Sequence, residues 1–208
     1  MRAFLTADKI SDRITRVANQ PSRSFLLQFP SLMARQWSQL NDTCKDTAGQ
    51  ETTEDECGYP FHCASYGGYG RGIYNGSTSF INSFDADEQG IVIGTDDAAV
   101  QPDQYGLISQ INSGETSGTV MYCGTYVYGL TINEVTDEAE FYIEALYKNI
   151  GTPSITIKEI GIYANGYSPG DSYPNWQQYC ILRDVLDTPV ILTQGEFLRV
   201  RYTIKIAT

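Results

Sequence analysis

The sequence predicts a mainly β protein: an antiparallel β-sandwich of jelly-roll or Ig-like type with a short helical N-terminal arm. Three observations predict it. The closing stretch PVILTQGEFLRVRYTIKI (residues 189–206) alternates strictly after a turn at Gln194-Gly195. Leu198, Val200, Tyr202, Ile204 and Ile206 then line one face, and Arg199, Arg201, Thr203 and Lys205 the other, as a half-buried strand requires. Upstream, from residue 90 onward, short β-branched and aromatic runs recur between Gly, Asn, Pro and Asp turns. Finally, no long helical pattern separates these runs, so a parallel α/β sheet has no crossover helices to build it.

Each element follows from local pattern. GIVIGT (90–95) is a short apolar run between turn signals, and TVMYCGTYVYGLTI (119–132) is β-branched and aromatic throughout. In EFYIEALYK (140–148), Phe141, Ile143, Ala145 and Tyr147 share a face opposite Glu140, Glu144 and Lys148. SITIKEIGIYA (154–164) alternates Ile155 and Ile157, then resumes one residue out of phase with Ile160 and Ile162. A slip at Lys158-Glu159 is the signature of a β-bulge. YCILRDVL (179–186) is a further strand. Before these, Ile10, Ile14 and Val17 recur at i, i+4 and i+7, which predicts a helix over 7–20 ended by Gln20-Pro21-Ser22. A second helix is expected after Pro30, with Ser31 as N-cap and Leu32, Met33, Trp37 and Leu40 on one side. The polar, acidic stretch 41–59 and the glycine-rich YGGYGRGIYNG (66–76) read as loops. The expected organisation is a helical arm over 1–40, an acidic and Gly/Tyr-rich loop region over 41–89, and a sandwich domain over 90–208.

Charge is uneven along the chain. Its net value is −11, with six basic and two acidic residues in 1–40, two and seventeen in 41–140, and six of each in 141–208. An acidic middle disfavours nucleic acid as a partner, because phosphate binding needs clustered Lys and Arg. No stretch approaches the ~20 apolar residues of a membrane span, so no membrane partner is expected. The N-terminus also lacks the apolar core of a signal peptide. The five cysteines are an odd number, which argues against a complete disulfide framework and fits a reducing cytoplasm. The 15 tyrosines suit either interfaces or strands.

Candidate chemistry is sparse. Asp46-Thr47-Ala48-Gly49-Gln50-Glu51 matches the DTAGQE switch motif of small GTPases letter for letter. Nucleotide binding also needs the phosphate cradle G-x-x-x-x-G-K-[ST], and the chain has neither that nor Asn-Lys-x-Asp. Cys57-x5-Cys63 with His62 and Cys44 has the wrong spacing for the common zinc pairs. A local Cys57–Cys63 disulfide or unpaired thiols are the readings for these cysteines, and no metal or other cofactor is expected. His62 is the single histidine, so any Ser-His or Cys-His system must pass through it. The acidic clusters at 54–56, Asp85-x-Asp87-Glu88 and Asp96-Asp97 do not form an EF-hand loop, nor do they define a glycosidase pair. No catalytic residue is assigned, and an enzyme is not expected.

Three segments together resemble structural proteins of tailed-bacteriophage virions. GIVIGTDDAAVQPDQYGLISQI (90–111) is similar to their G-[IV]-x-[IV]-G-T run followed by a D-Y-x-L element. Here that element reads Asp103-Gln104-Tyr105-Gly106-Leu107, one residue longer. ITIKEIGIYA (155–164) is similar to their I-T-I-x-E-[IV]-G-[IL]-Y strand, and 181–206 to their closing hairpin. Order and spacing agree from residue 90 to residue 206, while residues 1–89 match no named pattern. The resemblance implies a non-enzymatic virion subunit assembled in the host cytoplasm: an accessory capsid component (decoration, head fibre or collar) or a tail component. Other virion subunits would be its partners, and the copies would form a symmetric homo-oligomer, by analogy with phage appendages a trimer. Within it, Glu159 would sit at the bulge and partner backbone or a basic residue such as Arg183, and Gly161 would admit a close neighbour. Leu32, Met33, Trp37, Tyr66, Tyr69 and Tyr74 are the candidate assembly contacts. The alternative is a receptor- or glycan-binding tip of a tail fibre, with Tyr66, Tyr69, Tyr74 and Trp176 stacking on sugar rings.

Overall fold

A computed structural model describes residues 2–22, 25–27, 29–30, 44–52, 87, 90–167 and 176–207. Their architecture is mainly β with antiparallel sheets and almost no helix. The strands in chain order are β1 (Arg2–Ile10), β2 (Ile14–Ser22), β3 (Cys44–Lys45), β4 (Glu51–Thr52), β5 (Gly90–Gly94), β6 (Met121–Asn133), β7 (Glu138–Lys148), β8 (Ile155–Tyr167), β9 (Trp176–Leu192) and β10 (Phe197–Ala207). A five-stranded sheet has the order β2-β1-β10-β7-β6 and a three-stranded sheet the order β5-β8-β9, while β3 and β4 form a small hairpin. No helix among the described residues is long and apolar enough to cross a membrane.

The N-terminal segment corrects the sequence expectation. Residues 7–20 are not a helix but parts of β1 and β2, which pair antiparallel around a turn at 11–13. Ile10 and Ile14 face each other across that turn. A spacing of four residues is therefore produced here by a hairpin with a three-residue loop, and it is identical to the spacing of one helical turn. Ala3, Leu5 and Ala7 are buried in alternation, the strand period that the isoleucine pair obscured. β1 is consequently no arm: it lies inside the sheet, between β2 and β10. The helix expected after Pro30 falls outside the described residues.

β10 follows the expected alternation. Leu198, Val200, Tyr202 and Ile204 are buried against the second sheet, although Ile206 at the far end is exposed. Gly195 takes a positive φ of 84° in the turn that precedes it, a conformation that favours glycine. YCILRDVL and PVIL, expected as separate strands, are one continuous β9. Its pairing with β8 jumps from Ile157↔Val190 to Glu159↔Val185. The register shift at Lys158 thus takes up residues 186–189, and this irregularity is where Pro189, which cannot donate to a ladder, is tolerated.

The two sheets share one core. Leu5, Ile143, Tyr147, Leu198, Val200 and Tyr202 from the larger meet Ile91, Ile93, Ile157, Ile160 and Leu182 from the smaller. Each fully buried aliphatic side chain contributes about 1.5–3 kcal/mol relative to exposure. Three tyrosines stitch the layers together: the Tyr147 hydroxyl donates to Ile91 O at 2.7 Å, Tyr122 to Ile111 O at 2.8 Å and Tyr202 to Ile160 O at 3.4 Å. Burial pushes the phenols of Tyr122 and Tyr147 well above their ordinary pKa, so they remain neutral donors. The outer face of the larger sheet carries charges instead. Arg16 and Arg199 both bind the Asp8 carboxylate, Arg201 donates to Glu144 Oε2 at 2.6 and 2.9 Å, and Arg201 also lies 4.1 Å above the Tyr142 ring.

Candidate functional site

The most concentrated polar chemistry among the described residues lies where segment 95–111 crosses the smaller sheet. Glu159 on β8 and Arg183 on β9 are both 0% exposed, and Arg183 Nε donates to Glu159 Oε2 at 2.7 Å. The same carboxylate accepts the backbone N–H groups of Ile108 at 3.2 Å and Ser109 at 2.8 Å. Arg183 Nη1 donates onward to Ala98 O at 3.1 Å and Gln104 Oε1 at 3.0 Å, and Nη2 lies 3.8 Å from Asp96 Oδ1. A third tie comes from Leu107, whose N–H donates to the Tyr163 hydroxyl at 2.8 Å. The crossing segment is therefore fastened to the sheet at residues 96, 98, 104, 107, 108 and 109.

Local sequence makes room for this arrangement. The register shift between Ile157 and Glu159 turns the Glu159 carboxylate into the layer beneath segment 95–111. Two glycines clear the space around it. A Cβ on Gly94 would strike the Glu159 carboxylate and come within 2.6 Å of Ser109 O, and one on Gly161 would lie 2.9 Å from Leu182 O and 3.0 Å from the Leu107 side chain. Isolated charges in such a position are costly. Hydrogen bonding to both partners is the condition under which a buried pair is tolerated; it is met at the Glu159 carboxylate and at Arg183 Nε and Nη1, while the buried Nη2 makes no hydrogen bond and lies 3.8 Å from Asp96.

The structure thus brings Glu159, Gly161 and Arg183 into one site. It adds Gly94, Gln104 and Tyr163, which sequence reasoning had not singled out. Gln104 is the residue that lengthens the D-Y-x-L element, and its side chain reaches Arg183. That departure from the pattern was the available signal. Leu32, Met33, Trp37, Tyr66, Tyr69 and Tyr74 lie outside the described residues, as do His62, Cys57 and Cys63. The backbone of Trp176 pairs with Tyr167 at the start of β9.

The acidic and GTPase-like motifs that are described have structural uses. Asp46 Oδ1 accepts the N–H groups of Ala48 at 2.9 Å and Gln50 at 2.8 Å, which closes the β3–β4 turn. Thr47 N–H donates to Gln178 O at 2.8 Å and docks that turn on β9. Asp87 Oδ2 accepts the Ser113 N–H at 2.6 Å, Asp96 Oδ1 accepts the Ala98 N–H at 2.8 Å, and Asp97 pairs with Lys158 at 2.8 Å. No group of three His, Cys, Asp or Glu side chains converges to hold a metal among the described residues. Cys180, buried under the same layer, has its thiol pKa pushed up by burial, which opposes formation of the reactive thiolate. A general acid or base must reach a substrate proton, whereas the Glu159–Arg183 pair is sealed from solvent. Its chemistry is that of a fastening between chain segments. No protein-family model, curated protein or solved structure matches the chain.

Proposed function

We propose that the chain is a non-enzymatic structural subunit of a tailed-phage virion, an accessory capsid component (decoration, head fibre or collar) or a tail component, built on a β-sandwich of jelly-roll or Ig-like type. One observation carries the reading. The three segments that resemble phage structural proteins, 90–111, 155–164 and 181–206, are remote in sequence, yet they meet at the Glu159–Arg183 clamp and fasten one another. The resemblance therefore covers a physical unit rather than scattered strings. Its charged centre is consumed in holding a surface segment rigid, which suits a protein that presents fixed surfaces to neighbouring subunits. In this reading the partners are other virion subunits and further copies of the chain, and the site of assembly is the host cytoplasm.

The test is composition and position. Particles produced from the genome that encodes the chain are purified on a density gradient and analysed by quantitative mass spectrometry. The chain is expected at a fixed copy number per particle, and antibody labelling places it on the head, collar or tail. Its recovery only in the soluble fraction, with none in particles, would overturn the reading.

A further inference from the structure

The smaller sheet has two edges, β5 and β9, and among the described residues each is closed by irregular chain rather than by a further strand. At β5, Thr95 N–H donates to Ser109 O at 2.8 Å and Ile111 N–H to Ile93 O at 2.9 Å, beside a single bridge between Gly94 and Gln110. At β9, Leu26 N–H donates to Ile181 O at 3.1 Å beside a bridge between Phe25 and Leu182, and Thr47 N–H donates to Gln178 O at 2.8 Å. Farther along β9, Gln20 of β2 spans Val185 O and Asp187 N–H at 2.9 Å each. The sequence of β5, GIVIG, is apolar and uncharged, and an open edge of that kind is a template for foreign strands.

These closures share one support. Segment 95–111 leaves β5, runs out over the smaller sheet to the β9 side and returns, so it supplies 109–111 to the β5 edge directly. On its way it holds both pieces that lie on β9. Leu27 N–H donates to Pro102 O at 2.9 Å, and the turn of the β3–β4 hairpin rests so closely on Tyr105 that a Cβ on Gly49 would lie 2.8 Å from the ring. Neither piece is large. Leu26 is buried, but 25–27 is three residues long, and β3 and β4 have two residues each, too few to stand alone in water. Segment 95–111 has no ladder of its own between 95 and 109. It is gripped instead by Arg183 at Ala98 and Gln104, by Tyr163 at Leu107 and by Glu159 at Ile108 and Ser109. The exposed Lys158–Asp97 pair is a lesser tie.

We infer that segments 25–27, 46–49 and 95–111 form one latch over the smaller sheet, with the Glu159–Arg183 pair as its catch, so that both edges are sealed or opened together. The chemistry of the catch favours two positions over a continuum. A partly lifted segment would leave a buried guanidinium, a buried carboxylate and the N–H groups of Ile108 and Ser109 without partners, and groups of that kind are costly in a low dielectric. A single local opening, of the sort that detaches a contiguous layer without unfolding the rest, therefore frees the Ile93, Gln178 and Ile181 carbonyls at once. The Asp46–Glu51 string gains a use here, as the turn that carries the latch onto β9. Gln20 belongs to β2 and stays outside the latch. The inference concerns the isolated chain and stands or falls separately from the virion reading.

The experiment is native-state hydrogen exchange on the full chain, read amide by amide at increasing denaturant. The reporters are the N–H groups of Leu26, Leu27, Thr47, Thr95, Ile108 and Ile111. Their exchange is expected to converge on one opening, reached while the amides of β10 are still protected, and Asp187, held by Gln20, does not join them. Glu159→Gln is expected to speed exchange at all six by a common factor of about ten or more, although Leu26, Leu27 and Thr47 touch neither member of the pair. Gln104→Ala, which removes one acceptor of Arg183 and keeps Ala98 O, gives a smaller common factor. Separate openings at the two edges, a change confined to 107–109, or convergence only at the global unfolding shared with β10 would each overturn the proposal. Should Glu159→Gln fail to fold, convergence in the parent and the common factor in Gln104→Ala decide the matter alone.

Discussion

Among the described residues, two ion-pair systems are built from the same chemical groups in different surroundings. Beneath segment 95–111, Glu159 and Arg183 are fully buried and tie three backbone stretches together. On the outer face of the larger sheet, Asp8 with Arg16 and Arg199, and Glu144 with Arg201, run across neighbouring strands, with guanidinium groups that reach water although Asp8 itself is nearly covered. The outer guanidinium groups can be hydrated when a partner is lost, and salt screens them. The inner groups cannot. Identical carboxylate–guanidinium contacts thus serve as a structural fastening in one place and as a modest cross-strand preference in the other.

The largest expected effect separates the two. Glu159→Ala leaves Arg183 charged and buried with no carboxylate nearer than Asp96 at 3.8 Å, and it strands the N–H groups of Ile108 and Ser109. A loss of about 3–5 kcal/mol is expected in denaturant unfolding. Replacing both Glu159 and Arg183 by Met removes the charge problem but not the stranded N–H groups, at about 1–3 kcal/mol each. The double variant therefore recovers only part of the loss. Full recovery would show that the carboxylate matters to Arg183 alone and not to the crossing segment.

A smaller effect probes the space around the clamp. Gly94→Ala puts a methyl into the Glu159 carboxylate and Ser109 O, and overpacking of this kind costs about 1–3 kcal/mol. Calorimetry should show a lowered midpoint, and proteolysis should cut segment 95–111 first.

The smallest effect belongs to Asp8. Its carboxyl is 7% exposed. Burial raises its pKa, but hydrogen bonds from Arg199 and Arg16 outweigh this and hold it below the ordinary 3.8. A depressed folded-state pKa means the unfolded chain takes up the proton first as pH falls. The contribution of Asp8 is therefore complete above pH 3.8 and is lost as pH drops through the lower folded value. Asp8→Asn should cost about 1–2 kcal/mol near neutral pH. Thermal midpoints followed from about pH 5 to pH 2 should converge with those of the parent at the acid end. Parallel curves over that window would remove Asp8 as the titrating group.

Legibility in the sequence followed the same division between local and remote information. The alternation of β10, the apolar face of β7 and the phase slip at Lys158-Glu159 are nearest-neighbour patterns, and the structure contains all three. Glu159 enters through the resemblance of 155–164 to a phage structural strand, which implies a carboxylate at that bulge with a backbone or basic partner. Gln104 and Tyr163 did not stand out, because their roles depend on a loop folding back over the sheet, and no local periodicity encodes that. The N-terminal hairpin was misread for a different reason. Ile10 and Ile14 satisfy a helical spacing and a hairpin pairing equally well, and only the strand beside them decides between the two. The proposed contacts at Leu32, Met33 and Trp37 lie outside the described residues.

The position of β10 has a consequence for synthesis. It is made after every strand it touches, yet it occupies the middle of the five-stranded order, between β1 and β7. Until it emerges, the β1–β2 and β6–β7 hairpins have no ladder connecting them, and isolated hairpins are at best marginal in water. Closing contacts as remote as Ala3 with Ile204 makes nucleation slow. The sheet is thus assembled last and all at once, so ribosome-bound or prematurely terminated chains hold its two hairpins without the strand that joins them.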